Sequence, residues 1–347
     1  MLKAQYFPYE LQFKKASGTS RGVLTHKKIW IIKLWDSDHP AVYGLGECNP
    51  LVGLSIDDRP DFEEKLKEIC ASIHQTSEEK LLNFPSIRFA LETAKKDLLN
   101  GGKRILFDNE FSRGNKSITM NGLIWMGDES SMQQQIEEKI RQGFRCIKLK
   151  IGALDFDQEL RIIQSIREKL SASEIEIRVD ANGAFSLKDA AFKLDKLAKF
   201  NLHSIEQPIR QGQEKEMAEL CKKTPIPIAL DEELIVHQDK HAKQQLLSYI
   251  QPQFIILKPS LLGGWKACQE WIDSANNNKI GWWITSALES NIGLNAIAQW
   301  TYDFQPNFPQ GLGTGQLYTN NFESGLEIQS DQLFYRNEKL INVNFFE

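Results

Sequence analysis

No stretch of this chain approaches the ~18 consecutive apolar residues that a membrane-spanning helix needs, so a membrane protein is not expected. The N-terminal residues Met1 to Phe7 also lack the apolar core of a signal peptide, and an untargeted, soluble protein is expected. Cysteine is sparse and odd in number: Cys48, Cys70, Cys146, Cys221 and Cys268 are widely spread, with no Cys-x-x-Cys pair. That spacing argues against a disulfide framework or a zinc site and leaves reduced core thiols in a cytoplasmic protein as the expectation. An excess of charge of one sign is missing too. The 42 basic and 46 acidic residues leave a net −4, so neither nucleic acid nor a membrane surface is an expected partner. The six histidines (His26, His39, His74, His203, His237 and His241) form no metal-ligating or catalytic spacing.

What remains is an ordinary globular composition over 347 residues, which is longer than most single cores and predicts two domains. Residues 2–14, 22–36 and 41–48 alternate as strands, with loop signals at 16–22 and 36–40. Helical patterns follow at 61–74 and 86–100, and the region 1–110 reads as a small α+β domain. From about Ile118 the texture changes to short apolar runs alternating with amphipathic helices. The strand candidates are 118–125, 145–151, 175–179, 203–205, 226–230, 254–257, 282–284 and 311–313. Eight strands alternating with helices predict an α/β protein with a parallel, TIM-type barrel over 111–316. An open doubly wound sheet is the alternative. The segment 317–347 returns to strand-like alternation at Leu326 and Leu333 and is expected to pack back on the first domain.

The least expected stretch is Cys146 to Gly152. It places Lys148 and Lys150 on one face of an apolar strand, with Ile147, Leu149 and Ile151 on the other. An exposed edge strand would account for the lysines, because lysine blunts edge pairing. The later strand ends favour chemistry instead. They carry Asp180, Glu206, Asp231 and Lys258, and from Lys150 the successive separations are 30, 26, 25 and 27 residues, each about one βα unit. Any one of these acids could be a helix N-cap. Three in register, flanked by lysines in register, converge on one mouth of the barrel, where clustered carboxylates repel unless a cation sits among them. All-oxygen ligation suits a hard divalent ion, Mg²⁺ before Mn²⁺. A lysine beside such an ion and another ammonium has its neutral form favoured, as a general base requires. The implied chemistry is proton abstraction α to the carboxylate of a small-molecule substrate.

Taken together, Lys148-Leu149-Lys150, Asp180-Ala181-Asn182, Glu206-Gln207-Pro208, Asp231-Glu232 and Lys258-Pro259 resemble the enolase superfamily, in its muconate-lactonising subgroup. The resemblance implies a modified (β/α)7β barrel with an α+β capping domain built from both termini. It implies that Asp180, Glu206 and Asp231 bind Mg²⁺, that Lys150 is the base and Lys258 its opposite number, and that Lys148 tunes the base. Ser286, Gly311 and Asn182 become candidates for contact with substrate. Gly44 to Pro50, Thr285 to Ser290 and Gly311 to Gly315 are most similar to members that dehydrate a cyclohexadiene carboxylate to an aromatic acid in menaquinone biosynthesis. Racemisation of N-acylamino acids and epimerisation of dipeptides are the alternatives. Dipeptide epimerases commonly carry Asp-x-Asp on the eighth strand, where this chain has Gly311-Leu312-Gly313. The resemblance specifies no oligomeric state.

Overall fold

Period-2 alternation in the first fifty residues folds as an antiparallel meander of β1 (Leu2–Thr19), β2 (Gly22–Asp36) and β3 (Tyr43–Cys48). The computed structural model describes residues 1–19, 22–336, 341 and 343. β1 and β2 pair from Leu2 and Asp36 to Gln12 and His26, slip at an irregularity, and resume at Ser17 and Leu24. The predicted loop 16–22 is thus strand up to Thr19, because backbone pairing with β2 overrides its Gly/Ser composition; positions 20–21 lie outside the described residues. Helices α1 (Phe62–Ala71) and α2 (Pro85–Leu99) cover one face of the meander. There Trp30, Ile32 and Leu34 pack with Phe62, Leu66, Ile87 and Ala90. α2 lies directly on β3, since a Cβ at Gly44 or Gly46 would collide with the main-chain oxygen of Ala94 or Ala90.

The single strand expected over 118–125 is two. β4 (Ile118–Thr119) leaves for a small sheet, and β5 (Gly122–Ile124) opens the barrel. After α3 (Glu129–Arg141), strands and helices alternate as β6 (Cys146–Lys150), α4 (Phe156–Arg167), β7 (Glu176–Asp180) and α5 (Ala190–Leu197). Next come β8 (Ser204–Glu206), α6 (Glu214–Lys223), β9 (Ile228–Leu230), α7 (Glu232–Ile235) and α8 (Lys240–Ile250). The series ends with β10 (Phe254–Leu257), α9 (Pro259–Leu262), α10 (Gly264–Asn277), β11 (Gly281–Ile284) and α11 (Asn291–Asp303). Strands β5 to β11 pair in parallel in sequence order. The eighth stave is shorter than expected. Gln310 bridges Met120 and Gly311 bridges Thr285, which closes the sheet into a barrel without a full strand.

β6 lies between β5 and β7, so the edge-strand reading of Lys148 and Lys150 is overturned. Ile147, Leu149 and Ile151 face the helical layer and are buried. In the C-terminal segment, Tyr318 bridges Phe13 of β1, and Tyr318 and Phe322 pack on the meander beside Leu11 and Ile31. The hairpin of β12 (Leu326–Gln329) and β13 (Gln332–Tyr335) pairs instead with β4. Among the described residues no helix is long and apolar enough to cross a membrane.

Candidate active site

Five neighbouring strands deliver charge to one mouth of the barrel. β6 carries Lys148 and Lys150, β7 ends on Asp180 and β8 on Glu206, while Asp231 and Lys258 directly follow β9 and β10. Backbone register aligns them, since Lys150 is the partner of Asp180 and Asp180 the partner of Glu206. The three carboxylates are at most 2% exposed.

Ammonium groups are threaded between these acids. Lys148 Nζ donates to Glu206 Oε2 at 2.5 Å and lies 2.9 Å from Asp180 Oδ2. Lys150 Nζ lies 3.1 Å from the same Asp180 oxygen and donates to Asn182 Oδ1 at 2.8 Å. The Asn182 amide donates onward to Glu232 Oε1 at 2.9 Å, so Asn182 orients Lys150 from the side. Across the mouth, Lys258 donates to Asp231 and lies 3.9 Å from Glu206 Oε1.

Crowding and burial separate the protonation states. Burial alone would raise Asp180, but Lys148, Lys150 and Lys258 hold it well below the usual carboxylate range. Glu206 is pushed up to about 7 by burial and then by the charges of Asp180 and Asp231, against the pull of Lys148 and Lys258. Asp231 is also raised, burial outweighing Lys258. For Lys148 and Lys258 burial acts downward, yet their carboxylate partners outweigh it and both are raised. Those two lysines are therefore cationic at neutral pH.

A cavity of about 1020 Å³ opens over this arc, between cap and barrel. All the predicted site residues except Glu206 and Asp231 line it, and those two reach it through Lys148 and Lys258. Pro50, Leu51 and Leu54 contribute the capping wall. Gly311 sits where a Cβ would strike the Thr285 side chain at 2.5 Å, so its place is fixed by barrel closure. The Ser286 hydroxyl donates to Glu289 Oε2 at 2.7 Å and shares a hydrogen bond with Thr314. Its proton is thereby committed within the protein. His203 stacks on Phe254 among aromatic rings below the arc and has no part in it.

Residues 131–324 match the enolase C-terminal domain-like family. Over 96% of its length the chain is 46% identical to the o-succinylbenzoate synthase of Desulfotalea psychrophila, covering 98% of that protein. The chain belongs to the enolase superfamily. The crystal structure of MenC from Desulfotalea psychrophila superposes with a TM-score of 0.85 at 43% identity, covering 96% of this chain and 99% of that one. The muconate lactonizing enzyme of Pseudomonas putida shares the fold at 19% identity, with a TM-score of 0.77 over 98% of this chain and 94% of that one.

Enolase superfamily members are metal-dependent enzymes. Among the described residues no three His, Cys, Asp or Glu side chains converge closely enough, as they stand, to hold a metal ion. The Lys148 ammonium between Asp180 and Glu206, and the Lys258 ammonium against Asp231, account for that spacing. The donor set nonetheless fits a hard divalent cation: three carboxylates end successive strands, and Glu206 Oε1 is buried with no hydrogen-bond partner among the described residues.

Four polar residues of this region carried no sequence-based role. Lys27, Glu47, Asn49 and Glu289 are all buried where the cap meets the loop after β11. Glu47 and Asn49 lie in the Gly44 to Pro50 stretch that the family resemblance singles out. A polar pair ending an otherwise apolar strand was the signal available for them.

Proposed function

We propose that this chain dehydrates 2-succinyl-6-hydroxy-2,4-cyclohexadiene-1-carboxylate to 2-succinylbenzoate, the o-succinylbenzoate synthase reaction of menaquinone biosynthesis. The observation that carries the reading is the arc of Lys150, Asp180, Glu206, Asp231 and Lys258 beneath one cavity, in a chain 46% identical to an enzyme of that name. Residues 111–316 form the catalytic barrel in this reading, and 1–110 form the cap that closes the cavity, joined from the C-terminal segment by Tyr318, Phe322, Ile341 and Val343. Five free cysteines support a reducing compartment, the cytoplasm.

Lys150, steered by Asn182 and Asp180, takes the proton from the ring carbon that bears the carboxylate. The C–H electron pair moves toward that carboxylate. Lys258, kept cationic by Asp231, faces the developing charge from the other side. Lys148 neutralises Asp180 and Glu206 beneath the base. Lys150 then returns its proton to the departing β-hydroxyl, which leaves as water, and the ring becomes aromatic. A divalent cation held by Asp180, Glu206 and Asp231, Mg²⁺ in preference to Mn²⁺, would supply Lewis acidity at the substrate carboxylate.

Racemisation of an N-acylamino acid is the second reading, favoured by two lysines on one cavity. Dipeptide epimerisation is disfavoured, because the closing stave Gln310–Gly311 presents no acid for a substrate ammonium. The purified protein with Mg²⁺ and the cyclohexadiene should generate the ultraviolet absorbance of an aromatic product, and a chelator should abolish it. No aromatic product, together with α-deuterium incorporation into N-acylamino acids, would replace this reading by the racemase.

A further inference from the structure

Away from the arc, a dense buried polar cluster lies where the cap meets the loop after β11. Ser286, Ala287 and Leu288 of that loop form one wall of the cavity. The cap holds one half of the loop with an ammonium and the other with a carboxyl group. Lys27 of β2, itself buried, donates to the main-chain oxygens of Leu288 at 2.8 Å and Ala287 at 3.3 Å, and to the Asn49 side-chain oxygen. The Asn49 amide donates to the same Ala287 oxygen at 2.8 Å. Further along, Glu47 accepts the Ser290 N–H at 2.9 Å, the Ser290 hydroxyl at 2.5 Å and the Gly293 N–H at 2.9 Å, at the N-terminus of α11. Between these grips, Glu289 accepts from Ser260, from the Ser286 hydroxyl and from the Ala287 N–H.

Leu288 sits at φ 65°, a left-handed conformation that a branched side chain rarely adopts without being held there. The holding group is a buried ammonium directed at main-chain oxygens. Burial outweighs the opposing pull of Glu289 and Glu47 and leaves Lys27 lowered to about 8, so it is mostly charged at neutral pH. A residue that merely filled space between cap and barrel would not need that charge.

We propose that Lys27 is a positioning residue for the carboxylate substrate: its ammonium holds residues 287–288 in the conformation that forms the cavity wall shared with Lys150 and Lys258. The inference rests on the proposed dehydration for the identity of that substrate. Its structural half is readable without turnover.

Lys27→Met keeps the side-chain length and deletes the charge. With the cyclohexadiene carboxylate and Mg²⁺, this variant should show KM raised about tenfold with kcat within about threefold of wild type. Without substrate, amide hydrogen exchange across 286–293 should be faster by about tenfold. A role confined to stability would lower Tm and leave KM of the folded variant at the wild-type value. Either an unchanged KM or unchanged exchange in that segment overturns the proposal. Should Lys27→Met not fold, Asn49→Ala removes the second donor to the Ala287 oxygen and should raise KM about threefold, with the same two readings deciding. If the wild-type chain itself yields no aromatic product, the functional reading fails, and the exchange measurement alone then decides whether Lys27 holds the loop.

Discussion

Replacing Lys148 by methionine removes an ammonium that lies 2.5 Å from Glu206 Oε2 and 2.9 Å from Asp180 Oδ2. Asp180 keeps Lys150 at 3.1 Å, whereas Glu206 is left with Lys258 at 3.9 Å. Deleting one partner of a buried pair costs about 3–5 kcal/mol when the other charge stays behind uncompensated. Glu206 can avoid that by holding a proton, since burial and its acidic neighbours already lift it to about 7. Loss of Lys148 pushes it further up. A carboxyl raised above its unfolded value keeps a proton that the unfolded chain releases, so the variant loses stability as pH climbs from ~4.5 toward the folded value. In chelator, urea unfolding followed by circular dichroism should therefore show a deficit of about 1–2 kcal/mol near pH 5.5, growing to about 3–5 kcal/mol near pH 8.5. Equal deficits at the two pH values would refute the reasoning, as would a deficit below about 1 kcal/mol at the higher one.

Two further outcomes follow, one again from Glu206 and one from the cap. A divalent cation binding the deprotonated Glu206, whose carboxyl is raised to about 7, should displace most of a proton near pH 6 and far less near pH 8. Calorimetric titration of Mg²⁺ in two buffers of different ionisation enthalpy reads this directly, and a buffer-independent heat at the lower pH would contradict it. Gly46→Ala drives a Cβ onto the main-chain oxygen of Ala90, so β3 and α2 must part at a cost of about 3 kcal/mol. Thermal unfolding should show the cap melting early, and a wild-type profile would remove close packing as the reason for that glycine.

The barrel and its charged arc were legible because both rest on periodicity. A βα unit repeats every 25 to 30 residues, and a polar residue ending a buried strand stands out against Val, Ile and Leu. Where the sequence reading failed, long-range pairing overrode local composition. Residues 16–19 look like a flexible loop until β2 aligns with them. The stretch 118–125 looks like one strand until the C-terminal hairpin claims Ile118 and Thr119. The eighth stave, expected at 311–313, is little more than two bridges at Gln310 and Gly311. The grip of Lys27 and Glu47 on the loop after β11 spans more than 240 residues of sequence. Ser286 presents the opposite case: its place on the cavity wall was readable, but the commitment of its hydroxyl to Glu289 depends on side-chain geometry.

The central claim is that Lys150 both removes the α-proton and returns a proton to the leaving hydroxyl. Lys150→Ala, assayed with the cyclohexadiene carboxylate and saturating Mg²⁺, tests it most directly when Mg²⁺ affinity is measured on the same sample. We predict no aromatic product above the uncatalysed rate, with Mg²⁺ affinity within about threefold of wild type because Asp180, Glu206 and Asp231 remain. Aromatic product forming within about tenfold of the wild-type rate would contradict the assignment of Lys150 as the base.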